Sequence, residues 1–260
     1  MKTILLTGGS SGIGKATAEL FNQRGWQVFE LSRSGKSYDG IIHVDCDVTD
    51  EQSVLSAVSE VLRQTDHLDV IFSNAGMGIS GAIEYTKTDD ARRQMDVNFF
   101  GAFTLTKVVL PQLREQGGGR IIFTSSVAAV LAVPYQAFYS ASKAAINAFA
   151  LALQNEVRPF GVKVSVLMPG DVATGFTGAR IKEQQGEDVY THAKQAVEAM
   201  ERDEREGMTP QEIAKLVYHI ATTRHPRPEY VGGTIYKIFY ILNTLLPKRL
   251  VNWIEGKMYS

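Results

Sequence analysis

Short apolar runs alternate with helix-length amphipathic segments along most of this chain, and no other feature restricts its fold as strongly. TILLTGG reads as a first strand, and a glycine-rich turn leads from it into GKATAELFNQRG, a helix ending at Gly25. WQVFELSRS and IIHVDCDVTD read as the second and third strands, EQSVLSAVSEVLRQ as a helix and LDVIFSNAG as the fourth strand. A long helix over DVNFFGAFTLTKVVLPQLREQ, the strand GGGRIIFTSS, a helix around YSASK and the strand GVKVSVLMPG follow. The strands are almost unbroken Val, Ile and Leu, as in strands covered on both faces. The expectation is an α/β chain with a doubly wound parallel sheet and helices on both faces. Residues 1–260 fit one such domain better than two.

In sheets of this kind ligands bind beyond the carboxyl ends of the strands. The polar signatures TGGSSGIG, SRS, CDVT, SNAG, TSS and PGDVAT all fall at those ends, so the loops converge on one crevice. The balance of charge narrows what that crevice binds. A net charge of -1 and the absence of a basic run exclude an electrostatic pull on nucleic acid. The 5 histidines are scattered without metal-ligand spacing, so no metal site is expected. A single cysteine, Cys46, suits a reducing cytosol, and it shares a strand face with Val44 and Val48, which reads as a buried position. The apolar run in MKTILLTGG is too short for the core of a signal peptide, and a cytoplasmic location is expected.

In TGGSSGIG the glycines that matter are Gly8, Gly12 and Gly14, with Ser10, Ser11 and Ile13 between them. Glycine permits positive φ and close backbone approach, and a helix starting there points free N–H groups at a phosphate. The spacing departs from GxGxxG, with three residues between Gly8 and Gly12. The second strand ends Leu31, Ser32, Arg33, Ser34, where a dinucleotide's adenosine ribose would lie. Arg33 suits the 2′-phosphate of NADP, whereas Glu30 lies too early in the strand to hold a 2′-hydroxyl, so NADP(H) is expected ahead of NAD. The competing reading makes Arg33 a solvated loop charge.

Tyr139 and Lys143 of YSASK stand one turn apart on one helix face. A free phenol titrates near ~10, so an unassisted Tyr139 would be a poor acid and a poor base at neutral pH. A neighbouring cation favours the ionised form, which gives the pairing a chemical purpose.

TGGSSGIG, DVT, SNAG, Asn98 in DVNFFG, Ser126, YSASK and PGDVAT occur in this order across most of the first 175 residues. Together they closely resemble the short-chain dehydrogenase/reductase family in its compact single-domain branch. The resemblance implies a Rossmann-type sheet and a set of roles. Tyr139 would pass a proton to the substrate oxygen in carbonyl reduction and take it back in alcohol oxidation. Lys143 would lower the Tyr139 pKa and hold the nicotinamide ribose. Ser126, thirteen places before Tyr139, would hydrogen-bond the substrate oxygen, and Asn98 would position Lys143 through a water relay. Asp47 and Val48 would meet the adenine. Asn74, Ala75 and Gly76 would line the cofactor, with Ser73 replacing the first Asn of the usual NNAG. Pro169, Gly170, Val172 and Thr174 would grip the carboxamide. A homodimer or homotetramer through the Asn98 and Tyr139 helices is also implied.

Residues 176–207 are charge-rich, with Tyr190, Ala193, Val197 and Met200 at helical spacing, and read as a substrate lid or an exposed helical insertion. In the apolar C-terminal extension, 234–260, Ile238, Ile241, Leu242 and Leu245 form one stripe, and Pro247 stops the run short of a membrane span. Core or subunit packing is the default expectation for it; a wall of an apolar substrate mouth and shallow membrane attachment are the alternatives. The chain lacks the VDGG-like final strand usual in acyl-carrier-protein ketoreductases, and its tail looks more like members acting on steroids, retinoids or acyl-glycerone lipids. An NADP(H)-dependent oxidoreductase of a small hydrophobic ketone/alcohol pair is expected. A cofactor-binding sensor or scaffold, a reductase of 3-oxoacyl or small polar carbonyls, and a nucleotide-sugar epimerase or dehydratase are the competitors.

Overall fold

The computed structural model describes residues 1–183, 185–186 and 188–258. Its elements run β1 (Thr3–Thr7), α1 (Gly12–Gln23), β2 (Gln27–Ser32), β3 (Ile41–Asp45), α2 (Glu51–Leu62), β4 (Val70–Ser73) and β5 (Ile79–Ser80). Next come α3 (Thr88–Met95), a π-turn (Asp96–Phe100), α4 (Gly101–Glu115), β6 (Gly119–Thr124), α5 (Ala137–Val157) and β7 (Val162–Pro169). The chain continues through α6 (Phe176–Ala179), β8 (Ile181–Lys182), α7 (Ala193–Glu206), α8 (Pro210–Thr222), β9 (Glu229–Gly232), α9 (Thr234–Leu245) and α10 (Lys248–Met258).

Seven strands pair in parallel in the order β3-β2-β1-β4-β6-β7-β9, the central parallel sheet anticipated from the apolar runs. Successive side chains leave a strand on opposite faces, and the two faces bury separate cores. Leu5, Phe29, Ile71, Phe123 and Val166 pack with residues of α2, α4 and α5. Ile4, Val28, Phe72, Ile122 and Leu167 pack on the other side with Phe21 of α1 and Val217 of α8. The order turns back between β1 and β4, so the loops after these two strands part and open a crevice at the carboxyl edge.

Three local differences from the sequence expectation follow from short-range features. The helix expected from Asp96 begins earlier, as α3, and passes through the π-turn that contains Asn98 before continuing as α4. A π-turn widens the backbone by one residue and re-aims the side chain it carries. The seventh strand, β9, was absent from the expectation because only Tyr230 and Val231 are apolar in its four residues. Its Tyr230-Val231-Gly232 run pairs with Leu167, Met168 and Pro169, so the chain does have a closing strand ending in glycine and differs by the two helices after it.

The third concerns the tail. Ile238, Ile241, Leu242 and Leu245 are 49%, 54%, 41% and 74% exposed, so the stripe is not part of this chain's core, which was one half of the default expectation. Helix α9 is held to the body by other residues: Tyr240 donates to Glu229 (2.7 Å) and Asn243 to the Val130 carbonyl (3.2 Å). No helix among the described residues is long and apolar enough to cross a membrane.

Residues 176–207 form α6, β8 and α7. Strand β8 pairs in parallel with β5, tying this segment to the loop beyond β4. Ala193 and Met200 are buried inward, as their spacing suggested, whereas Tyr190 precedes α7 and donates to Glu84 (2.9 Å). Residues 184 and 187 of the expected lid, and 259–260 of the tail, lie outside the described residues.

Candidate active site

A crevice of about 1340 Å³ follows the carboxyl edge of the sheet. All the expected site residues except Gly14 and Asn98 line it. At one end lies the glycine turn. Gly8 and Gly12 adopt φ of 69° and 52°, in the left-handed region that favours glycine. Gly14 is needed for packing: a Cβ there would lie 2.1 Å from the Gly8 carbonyl oxygen. Ser11 ends the turn as the N-cap of α1 without a side-chain capping bond, which leaves the helix's first amides facing the crevice. Such a cradle of backbone N–H groups fits a pyrophosphate.

Asn74 braces this end. Its backbone N–H donates to Thr7 Oγ1 (3.0 Å), its amide donates to the Thr7 and Gly8 carbonyls (3.3 Å each), and it accepts from Thr124 Oγ1 (3.1 Å). One carboxamide thus couples the ends of β1 and β6 to the turn.

At the end of β2, Arg33 is exposed and lines the crevice. Glu30 is not available to a ribose: it is 2% exposed, and His43 Nδ1 lies 2.5 Å from its carboxylate. Arg93 of α3, which no sequence signal marked, lines the same stretch. Burial opposes ionisation of Asp47, but the Thr49 N–H (2.9 Å) and hydroxyl (2.7 Å), with Arg33 and Arg93, outweigh it and hold the carboxyl below its usual range. Two guanidinium charges therefore act on Asp47.

Tyr139, Lys143 and Ser126 meet in the middle of the crevice. The Lys143 ammonium lies 5.7 Å from the centre of the Tyr139 ring and donates to the Thr124 carbonyl (2.9 Å). Ser125 donates to the Lys143 carbonyl (3.1 Å), holding α5 against β6. Ser126 Oγ accepts the Ala128 N–H (3.1 Å), so its own hydrogen is left for a partner in the crevice. Asn98 is 1% exposed and spends its carboxamide on the Met77 N–H (2.8 Å), the Met77 carbonyl (3.0 Å) and Ser142 Oγ (3.0 Å). It therefore fixes α5 and the loop after β4, and makes no direct bond to Lys143. Gly76 separates the two: a Cβ there would be 3.4 Å from Asn98 Oδ1 and 3.6 Å from Lys143 Nζ.

The electrostatics of the pair differ from the sequence expectation. Lys143 does not bring the phenol into the neutral range. Burial pushes the Tyr139 pKa up to about 12, with Glu204 and Asp171 adding in the same direction while Ser126 and Arg180 oppose. Lys143 is itself pulled down to about 8 by burial. The reason is geometric. The ammonium's hydrogen bond runs to a backbone carbonyl beneath the ring, and the phenol sits beside Phe176 (5.7 Å between centroids) with two carboxylates beyond. As built, the site holds Tyr139 firmly as an acid.

The far end of the crevice is divided between polar and apolar walls. Glu204 of α7 accepts from Thr177 (2.6 Å) and from Arg180, and Tyr236 donates to Asp171. Leu131, Val133, Met200, Phe239, Leu242, Leu246, Val251 and Ile254 supply the apolar surface. The residues of α9 and α10 among them belong to the extension for which a wall of an apolar substrate mouth was one of the alternatives.

The family profile of the short chain dehydrogenases matches residues 2–186. The chain belongs to the short-chain dehydrogenase/reductase family. It is an oxidoreductase acting on a carbonyl/alcohol pair, as members of this family are. A 3-ketodihydrosphingosine reductase of Bacteroides thetaiotaomicron is 37% identical, over 99% of this chain and 97% of its own length. A short-chain dehydrogenase structure from Streptomyces avermitilis superposes with a TM-score of 0.84 at 28% identity, covering 99% of this chain and 97% of that one. An alcohol dehydrogenase from Thermococcus sibiricus, complexed with 5-hydroxy-NADP, gives 0.74 at 25% identity, over 91% and 97%. A family member from Burkholderia phymatum in complex with NAD gives 0.83 at 23% identity, over 93% and 92%, and shares the fold. Short-chain dehydrogenase/reductases thus occur with either dinucleotide, and the glycine turn here fits that common part.

Proposed function

We propose that the protein interconverts the ketone and alcohol forms of a long-chain amphiphile with NADP(H). The observation that carries this reading is the continuity of the crevice, from the glycine turn and Arg33, past Tyr139, to the apolar walls of α9 and α10. Arg33, with Arg93 beside it, suits a 2′-phosphate, and the engagement of Glu30 with His43 removes the acid that would favour NAD. The apolar walls suit an alkyl chain, and Asp171, Glu204 and Tyr236 suit a polar head group near the reacting carbon. The 3-ketodihydrosphingosine reductase relative is consistent with such a substrate.

A nicotinamide dinucleotide bound along the glycine turn would supply or accept the hydride. The chain's own residues do the rest. Tyr139 Oη gives its proton to the developing alkoxide in reduction and receives it in oxidation. Ser126 Oγ donates to the same oxygen. Lys143 keeps positive charge beneath the phenol, and Asn98 keeps the Lys143 helix in register with the loop after β4. The α6–α7 segment acts as the lid. Subunits pair through α4 and α5, whose Phe103 and Leu151 are exposed.

The test is NADPH oxidation, followed by absorbance, with 3-ketodihydrosphingosine, ketones of graded chain length, 3-oxoacyl thioesters and keto sugars. Each buried methylene is worth ~0.8 kcal/mol, so kcat/KM should rise about fourfold per methylene until the cavity is filled. Rates indifferent to chain length would remove the lipophilic part of the proposal. Tight NADPH binding without turnover of any carbonyl would favour the sensor.

A further inference from the structure

Helices α9 and α10 carry an apolar surface that the body of the protein leaves uncovered. Ile238, Ile241, Leu245, Leu250 and Trp253 are between 41% and 74% exposed. The residues from 234 onward also hold four basic side chains, Lys237, Lys248, Arg249 and Lys257, against one acid, Glu255, in a chain whose net charge is -1. All four basic residues are exposed, whereas Glu255 is half-buried. An apolar face of this extent with a charged rim marks an interaction surface.

We propose that this face seats the protein on an anionic lipid surface, with the mouth of the crevice opening onto it. Three observations select a lipid surface. The first is the charge: exposed lysines and arginine around apolar side chains complement anionic head groups. The second is continuity. Leu242 and Ile254 are 41% and 39% exposed and also line the crevice, so the outer face runs into the substrate mouth without a polar break at these positions. The third is length. α9 and α10 have 12 and 11 residues, about 18 and 16 Å, which suits helices lying in an interface and falls short of a span. A second copy fits less well, because two-fold pairing through this face would set its basic rim against an identical one. Phe103 of α4 and Leu151 of α5, both exposed, already offer a separate apolar face for subunit pairing.

The full-length protein should sediment with vesicles of mixed phosphatidylglycerol and phosphatidylcholine, and much less with phosphatidylcholine alone. High salt should weaken the binding. The chain has 2 tryptophans, and Trp26 is 7% exposed against 60% for Trp253, so a Trp26→Phe variant reports α10 alone. Its emission should shift to the blue on the mixed vesicles. Ile241→Asp with Leu245→Asp, and separately Lys237→Glu with Arg249→Glu, should each weaken vesicle binding about tenfold or more. Both should keep the wild-type circular dichroism and the turnover of a short, water-soluble ketone. Absence of vesicle binding by the wild type would overturn the proposal, as would equal binding to both vesicle types. A halved solution mass in Ile241→Asp with Leu245→Asp, without any vesicle binding by the wild type, would assign the face to a second copy. The sedimentation and emission readouts need no turnover, so they stand apart from the substrate assay.

Discussion

The Tyr236 hydroxyl donates to the Asp171 carboxylate, and its ring fills the space a side chain at Gly170 would need, with Cδ2 2.0 Å from that Cβ position. The first turn of α9 is thereby pinned to the loop after β7. This contact joins the apolar wall of the crevice to the segment expected to grip the nicotinamide. Tyr236→Phe keeps the ring and deletes the donor to a largely buried carboxylate whose pKa burial already raises. A hydrogen bond to a charged group is worth about 1.5–3 kcal/mol, so urea unfolding should report a loss of that size. An unchanged midpoint would show that solvent replaces the bond. Gly170→Ala should destabilise more than Tyr236→Phe, because its Cβ meets the ring itself.

Tyr139→Phe should lower turnover by about 10²–10⁴, the range of general acid catalysis, with dinucleotide affinity unchanged. The pH profile separates the two members of the pair. Tyr139, raised to about 12, keeps its proton throughout the physiological range, so reduction should not fail for want of it. Lys143, lowered to about 8, is charged below that value and neutral above. Reduction should therefore be flat in acid and neutral solution and fall above about 8. Lys143→Arg, which stays charged, should remove the break even if the absolute rate is lower. A profile identical in the two proteins would exclude Lys143 as its origin.

Most of the site was legible because its chemistry is tied to short local patterns. Gly8, Gly12 and Gly14 announce themselves by a residue type that only close backbone approach demands, and Tyr139 and Lys143 by one helical turn. What was not legible depends on contacts between distant segments. Arg93 acts on Asp47 from α3 through its charge, and Tyr236 reaches Asp171 from a helix 65 positions later. Neither carries a motif. The apolar stripe of α9 was legible as a stripe, but its periodicity alone could not say whether the covering partner is this chain's own core, and Ile241 at 54% exposure gives the answer. The phenol's pKa was misjudged for a related reason. Proximity of Lys143 was visible in the spacing, while the burial and the Glu204 and Asp171 charges that raise the phenol come from the tertiary fold.

Arg33 and Arg93 can be separated by their cofactor dependence. If both face the 2′-phosphate, Arg33→Ala and Arg93→Ala should each raise the Kd for NADPH about tenfold or more and leave NADH almost unaffected, as loss of a charge-assisted contact would. The double variant should invert the preference. Titration by quenching of protein fluorescence reads each of these affinities. Equal weakening of both dinucleotides would move the two arginines from phosphate recognition to general packing of the adenine end.

Glu30 and His43 provide a pH test of stability away from the reacting carbon. The Glu30 carboxylate lies 2.5 Å from His43 Nδ1, with side chains 3% and 9% exposed, and His43 Nε2 is 3.1 Å from Asp45. Burial opposes charge on the imidazole, but its hydrogen bonds to the Glu30 and Asp45 carboxylates prevail and raise its pKa above 6.5. The folded state thus holds the His43 proton to higher pH than the unfolded chain does. Its contribution is complete below 6.5 and is lost as pH rises through the folded value. Replacing His43 by Gln should cost about 1.5–3 kcal/mol in mildly acid solution, and the gap to wild type should narrow steadily toward pH ~9 as the imidazole becomes neutral. Urea midpoints across that range measure the gap. A gap that stays constant would mean that His43 is neutral throughout and contributes shape alone, and a gap that widens would reverse the sign of the linkage.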